Sequence, residues 1–246
     1  MSADNKMPSP HRLLIVGAGL TGSVTASLLR RKFPKEALNI TFWEKSRGAG
    51  GRMNTNRSAS DSRCTVDLGA QYVTATPDYY RSHESFYQEL ISAKVLVPFN
   101  GIIEGENKKE GMKNFTAPSG MNSIVKNFLN SSDPEDIGPS LLAHTSVPFG
   151  IEHLEMDMND VKEIIISHVK QILPDLPEPV NSRCLRWRYS QVSRGVDGSP
   201  GCIALCNSPL LVACGDAFSH SNFDGCIDSA MSVVDTFCKI TSVSNL

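Results

Sequence analysis

Three glycines in Gly17-Ala18-Gly19-Leu20-Thr21-Gly22 have the spacing of a turn that holds a pyrophosphate. In such a turn Gly17 permits the tight bend, Gly19 lets phosphate approach the backbone, and Gly22 lets the following helix pack on the preceding strand. The start of that helix offers free N–H groups and a dipole that favours an anion. Taken alone, the pattern is equally that of an ordinary glycine-rich turn. Glu44 changes the weighting: it lies 22 positions beyond Gly22, at the end of the next strand-like run, where a carboxylate accepts both hydroxyls of an adenosine ribose. An acid there also repels a 2′-phosphate on the bound cofactor.

Two further groups suit the same ligand. Gly50-Gly51-Arg52 combines a backbone that can approach a cofactor with a guanidinium that can reach phosphate oxygens, although a solvated basic turn has the same composition. Gly215-Asp216, followed by Asn222-Phe223-Asp224-Gly225-Cys226-Ile227, sets a carboxylate at a strand end with a helix start close behind it, a pairing suited to a ribityl chain and the electron-rich edge of an isoalloxazine.

Hydride transfer depends on stacking and positioning more than on an acid or base, so the lack of a catalytic triad does not argue against an enzyme. His144 is the one candidate for a substrate-facing group, with a hydrogen-bonded core histidine as the alternative. His168, Trp187 and Tyr189 read as packing residues. Cys226 beside Gly225 could suggest a covalent flavin link, but a small buried thiol is the simpler reading.

Other chemistries find less support. A formal net charge of −2 leaves no electrostatic footprint for nucleic acid or an anionic membrane. Seven cysteines, with no C-x-x-C pair, read as reduced and mostly buried thiols rather than a disulfide framework, and Cys202 and Cys206 lack the partners of a metal site. No apolar stretch reaches membrane-spanning length, and the polar start of the chain lacks a cleavable signal, so the expectation is a soluble, cytoplasmic protein.

The elements that must position these groups follow from the apolar patterns. Leu13 to Val16 is a continuous apolar run of the kind buried in a parallel sheet, and Val24 and Leu28 recur at helical spacing until Pro34. Asn39 to Glu44 reads as a second strand, which makes this the opening of a doubly wound α/β fold. Ser58 to Arg63 reads as a loop. Thr76 as N-cap, Pro77 at the first helical position and Tyr79, His83, Phe86, Leu90 and Ile91 on one face predict a single amphipathic helix over 78–92. Asn107 to Lys113 should turn, and Gly120 to Leu129 should form a shorter helix. A strand is expected over Leu141 to Val147, then a helix carrying Val161, Ile164, Ile165, His168, Val169 and Ile172. Leu210 to Cys214 reads as another buried strand, and Ile227, Ala230, Met231, Val234 and Cys238 line one face of a last helix.

Longer blocks carry a resemblance. Leu14 to Gly22, Gly50 to Met53, Asp67-Leu68-Gly69-Ala70-Gln71-Tyr72, His144-Thr145-Ser146-Val147-Pro148-Phe149-Gly150 and Ser221 to Cys226 resemble the flavin amine oxidase superfamily, and within it the renalase family, over nearly all of residues 12–238. The resemblance implies an α/β, Rossmann-like FAD-binding fold. It implies noncovalent FAD contacts from Gly17, Ala18, Gly19, Thr21, Gly22, Glu44, Gly51, Arg52, Gln71 and Tyr72, and from Asp216, Phe223, Asp224, Gly225 and Ile227. It further implies oxidation of the 2- and 6-dihydro isomers of NAD(P)H to NAD(P)+, with O2 as acceptor and H2O2 as product. Catecholamine oxidation and a secreted signalling role are the other activities it brings with it.

One feature departs from that pattern. After the helix ending near Leu129 the superfamily continues into a strand and a substrate domain, which needs on the order of 100 residues; here a Ser, Asp, Pro and Glu-rich stretch leads at once to Ile137-Gly138-Pro139-Ser140. The reading is an internal deletion, as in a splice variant, with most of the substrate domain missing. The expected organisation is a disordered extension over 1–11, the N-terminal half of the FAD-binding domain over 12–130, a linker over 131–139, a substrate-domain remnant over 140–190 and the C-terminal half over 191–246. Apolar sheet faces left bare by the deletion would favour a protein partner, and a catalytically silent flavin-fold remnant acting by binding stands beside the oxidase as the second expectation.

Overall fold

A computed structural model describes residues 10–103, 109–130, 141–187 and 190–241. The linker expected over 131–139, the first nine residues of the N-terminal extension and Tyr189 lie outside them. The described chain divides into one unit of residues 1–55, 67–135 and 191–246, and another of 56–66 and 136–190.

The first unit opens as the sequence predicts. Strand β1 (His11–Val16) leads through the glycine turn into α1 (Leu20–Lys32) and returns as β2 (Leu38–Trp43), parallel to β1 with Leu13 opposite Ile40 and Val16 opposite Trp43. Phe33, extended and buried, ends the helix before Pro34 can be asked for an N–H it does not have. Short strands β3 (Thr55–Arg57) and β4 (Thr65–Asp67) pair around the polar loop that belongs to the second unit, and the first unit resumes with β5 (Val73–Ala75).

Thr76 caps the next helix as expected, its hydroxyl accepting the Tyr79 N–H at 3.3 Å. The single helix expected over 78–92 is, however, two: α2 (Pro77–Ser82) and α3 (Glu84–Ser92), broken at His83, whose ring is bonded at both nitrogens. Two carboxylates on another helix hold the imidazole, a tertiary constraint that local periodicity does not record. Strands β6 (Val97–Pro98) and β7 (Lys113–Thr116) then complete a three-stranded sheet in the order β5-β7-β6, and α4 (Asn122–Phe128) closes the N-terminal part.

In the second unit, α5 (Val147–Glu152) and α6 (Met158–Ile172) are helices without a fully buried residue. The strand expected over Leu141 to Val147 is not formed. Residues 141–146 are irregular, Ser146 caps α5 by accepting the Phe149 N–H, and Pro148 sits in the first helical turn, where its missing donor costs nothing. A strand needs a neighbour for its ladder, and no strand lies among the described residues of 136–190 to supply one. Phe149 stacks on His153, with ring centroids 4.1 Å apart, and meets His168 edge-on at 6.5 Å.

The chain then returns to the first unit. Strands β8 (Cys202–Asn207) and β9 (Leu210–Cys214) form an antiparallel ribbon, and α7 (Phe223–Thr241) packs along α1. Strand β9 was expected as a buried strand; instead Leu211 is exposed, as are Leu205 and Ile203 on β8. The same holds for β1, where Leu14 and Val16 face solvent beside Trp43 while Leu13, Ile15 and Ile40 turn toward the helices. One face of the parallel pair is covered and the other is bare. Met231, expected on the buried stripe of α7, is also exposed.

The core joins both ends of the sequence. Val24 from α1, Tyr87 and Leu90 from α3, Leu96, Met121, Ile124 and Val125 around α4, and Phe223, Ile227 and Ala230 from α7 form one cluster. Each fully buried large side chain contributes about 1.5–3 kcal/mol of transfer free energy, so this cluster fixes α1 and α7 together firmly enough to carry a site between their first turns. All seven cysteines are free, but none is a fully buried residue, against expectation: the ribbon that carries Cys206 and Cys214 is exposed. No helix among the described residues is long and apolar enough to cross a membrane, and no group of His, Cys, Asp and Glu there is arranged to hold a metal ion.

Candidate dinucleotide site

At the glycine turn the geometry separates the three glycines by role. Gly17 has φ +100°, which an L side chain rarely adopts. A Cβ on Gly22 would stand 2.4 Å from the Gly17 carbonyl oxygen and 3.2 Å from Ile15 Cγ2, so its absence is what lets α1 sit on β1. A Cβ on Gly19 would meet nothing within 4 Å. Gly19 is also the N-cap of α1 and makes no side-chain cap bond, and the first turn holds no acid. An open cradle thus lies at an uncapped helix start, the arrangement that binds phosphate through N–H groups and the helix dipole.

Glu44 is fastened to this turn. Its Oε2 accepts the Ala18 N–H at 2.7 Å, and its Oε1 accepts the Ser46 N–H at 2.7 Å. These bonds, that from Ser46 first, hold the carboxyl below the usual carboxylate range. The Ser46 hydroxyl lies 2.8 Å from Oε1 and 2.6 Å from the Gly48 carbonyl. Sequence reasoning passed over Ser46, although a hydroxyl two residues after an acid is a familiar local partner. The carboxylate retains free lone pairs for a ribose.

The glycine pair closes the opposite side. Gly50 donates its N–H to the Ala18 carbonyl at 2.8 Å, and a Cβ on Gly51 would lie 3.5 Å from Gly19 Cα. Arg52 is thereby brought beside the phosphate turn. Its Nη2 donates to Asp216 Oδ1 at 2.6 Å, and Asp216 Oδ2 accepts the Ser221 hydroxyl at 3.0 Å. The bond from Asp216 pushes the guanidinium above its already high ordinary value.

Asp67, unmarked as a site residue, supports this corner. It accepts Thr55 Oγ1 at 2.5 Å and the Met121 N–H at 2.8 Å, while Leu68 and Ala70 donate their N–H groups to the Asn54 and Arg52 carbonyls. Burial raises the pKa of Asp67, offset in part by those two bonds.

The start of α7 meets the start of α1 where Thr21 lies beside the Cys226 thiol. Burial pushes the Cys226 thiol up to about 11, although the residue as a whole is half-buried, so it is a poor nucleophile for a covalent link. The start of α7 is not the free terminus expected, because Asn222 Oδ1 accepts the Gly225 N–H at 2.7 Å. Nor do all the C-terminal candidates face outward. Phe223 and Ile227 are core residues, and the carboxylate of Asp224, 1% exposed, is taken up by His83 and Tyr87. Their side chains seat the helix. A Cβ on Gly225 would collide with the His220 backbone, which explains the glycine by packing.

Gln71 and Tyr72 are exposed just before β5; the Gln71 carbonyl accepts Thr116 Oγ1 at 3.4 Å, and Tyr72 stacks on Phe99 at 6.0 Å. His144 is exposed on the irregular segment of the other unit, not the core histidine of the alternative reading.

The profile of NAD(P)-binding Rossmann-like domains matches residues 15–90, which contain the glycine turn, Glu44 and Arg52. Mouse renalase is 32% identical over 334 aligned positions, which take in 91% of this chain and 97% of the mouse protein. The chain belongs to the renalase family. Those 334 positions exceed the 246 residues present here, so the mouse renalase sequence runs through positions with no counterpart in this chain. This renalase-family chain is accordingly a shortened form.

Proposed function

We propose that the chain is a flavin-dependent oxidoreductase whose cofactor is FAD, bound with its pyrophosphate at the α1 start, its adenosine ribose at Glu44 and its flavin end toward the Arg52–Asp216 corner. The observation that carries the reading is the open cradle at Gly19, flanked by a carboxylate tied to the turn and a guanidinium held by a residue from the far end of the sequence. Bound flavin supplies two-electron acceptor chemistry, so that a dihydronicotinamide isomer, a proton and O2 become NAD(P)+ and H2O2. Membership of the renalase family favours the 2- and 6-dihydro isomers of NAD(P)H as substrates.

What this chain's own residues do is bind and orient. The first N–H groups of α1 would hold the phosphate, Glu44 would select an unphosphorylated ribose, and Arg52 and Asp216 would fix the corner where the isoalloxazine edge would lie. Anaerobic mixing with each isomer should bleach the flavin absorbance. Reduction by a catecholamine but by no dihydronicotinamide would overturn the substrate.

The bare face of the β1–β2 pair supports a second reading, a flavin-fold protein that binds cofactor without efficient turnover. Walls that hold a substrate in a near-attack geometry can be worth about 7–11 kcal/mol, and losing half of that slows a reaction roughly a thousandfold or more. A yellow protein that is not bleached by any of these substrates would select this reading over the oxidase.

A further inference from the structure

A buried cluster ties α7 to the α2–α3 break. His83, 2% exposed, places Nδ1 2.7 Å from Asp224 Oδ1 and Nε2 2.9 Å from Asp228 Oδ1. The Tyr87 hydroxyl donates to Asp224 Oδ2 at 3.0 Å. Both carboxylates stand in the first two turns of α7, the helix whose start bears Asn222, Gly225 and Cys226. A neutral imidazole has one N–H and can donate to only one of them; an imidazolium donates to both.

We infer that His83 is a positioning residue for the proposed flavin site, clamping the start of α7 as an imidazolium and releasing one arm when it loses its proton. The inference rests on the reading of the site as flavin-binding.

The charged and titratable surroundings support a cation. From α7 come Asp224 and Asp228; from α3 comes Tyr87, whose phenol burial and Asp224 keep protonated; from α2 come Tyr79 and Tyr80, Tyr80 lying 5.0 Å from the Tyr87 ring. His220 lies 6.1 Å from the Tyr79 ring, and with Asp235 it shares the cleft that Asp228 borders. Burial alone would drive His83 toward the neutral form, but the Asp224 and Asp228 carboxylates outweigh it and raise its pKa above the usual histidine value. With a raised folded-state pKa, the clamp's stabilisation is fully present below about pH 6.5 and is lost as pH rises through the folded value.

The experiment measures the FAD dissociation constant between about pH 6 and pH 9 for the full chain, for His83→Gln and for Asp228→Asn, together with the melting temperature of each without flavin. Wild type should bind FAD about fivefold or more weakly at the alkaline end, His83→Gln should show a flat profile, and Asp228→Asn should move the midpoint to lower pH. The melting temperature of wild type should fall over the same range, and that of His83→Gln should not. A pH profile in His83→Gln that matches wild type would overturn the clamp. If His83→Gln does not fold, the midpoint shift in Asp228→Asn decides, and no shift overturns the proposal. Flavin binding absent at every pH would overturn the functional reading and the link to it, and the melting profiles would then judge the clamp separately.

Discussion

Arg52 and Asp216, 164 residues apart in sequence, are joined at 2.6 Å, and Asp216 in turn receives the Ser221 hydroxyl. This pair links the glycine-rich turn of the N-terminal half to the strand end that precedes α7. Asp216 is 9% exposed and Arg52 39%, so solvent screens the guanidinium side of the pair while the carboxylate depends on it. Arg52→Ala strands a nearly buried carboxylate, and Asp216→Asn keeps the shape while removing the charge. Flavin affinity should fall about tenfold or more in Arg52→Ala and less in Asp216→Asn, read by fluorescence titration. Unchanged affinity in both would remove this corner from the site.

Gly19 and Gly22 should separate binding from folding. Gly22→Ala drives a Cβ into the Gly17 carbonyl at 2.4 Å and should destabilise the chain by about 1–3 kcal/mol, the usual cost of overpacking. Gly19→Val enters open space, so its denaturation midpoint should stay close to wild type while flavin content collapses. A Gly19→Val variant with full flavin content would count against phosphate at this turn.

Glu44 should make the turn sensitive to acid. Its folded pKa is depressed, so its stabilisation is present above the ordinary value of 4.5 and is lost as pH falls through the lower folded value. Glu44→Gln keeps one oxygen acceptor but cannot accept both the Ala18 and Ser46 N–H groups. The loss should be about 1 kcal/mol of stability at neutral pH, with the acid limb of the stability profile flattened. An unchanged acid limb would show that the carboxylate does not hold the turn.

The local part of the fold was legible in the sequence, and the assembled part was not. Turn, helix start and acid were readable at Gly17 to Gly22 and at Glu44 because each depends on a few neighbouring residues. Thr76 and Pro77 announced a helix start for the same reason. The break at His83 was hidden, because its cause lies on α7 at Asp224 and Asp228. Asp224 and Ile227 stand in the motif read from the sequence, but their side chains point into the core, a direction that the packing of α7 decides. The strand expected over Leu141 to Val147 lacked a neighbouring strand to pair with among the described residues of 136–190, and β9, though paired with β8, lacked a layer to cover its face.

The bare apolar faces have a measurable consequence. Val16 is 76% exposed and Trp43 64%, paired in register on one face of β1 and β2. Contiguous exposed apolar surface drives association. Light scattering should show self-association that the Val16→Thr, Trp43→Lys double variant reduces, with secondary structure retained. Equal scattering from the two would show that this face is not the sticky one.

The central claim is that the chain is organised around an FAD site, and the most direct test is the visible spectrum of the purified chain after reconstitution with flavin, followed by heat release and identification of the bound species. The account predicts a yellow protein that releases FAD and neither FMN nor a nicotinamide dinucleotide, with the colour lost in Gly19→Val. A folded, colourless chain that takes up no FAD, or one that retains FMN equally well, would contradict it.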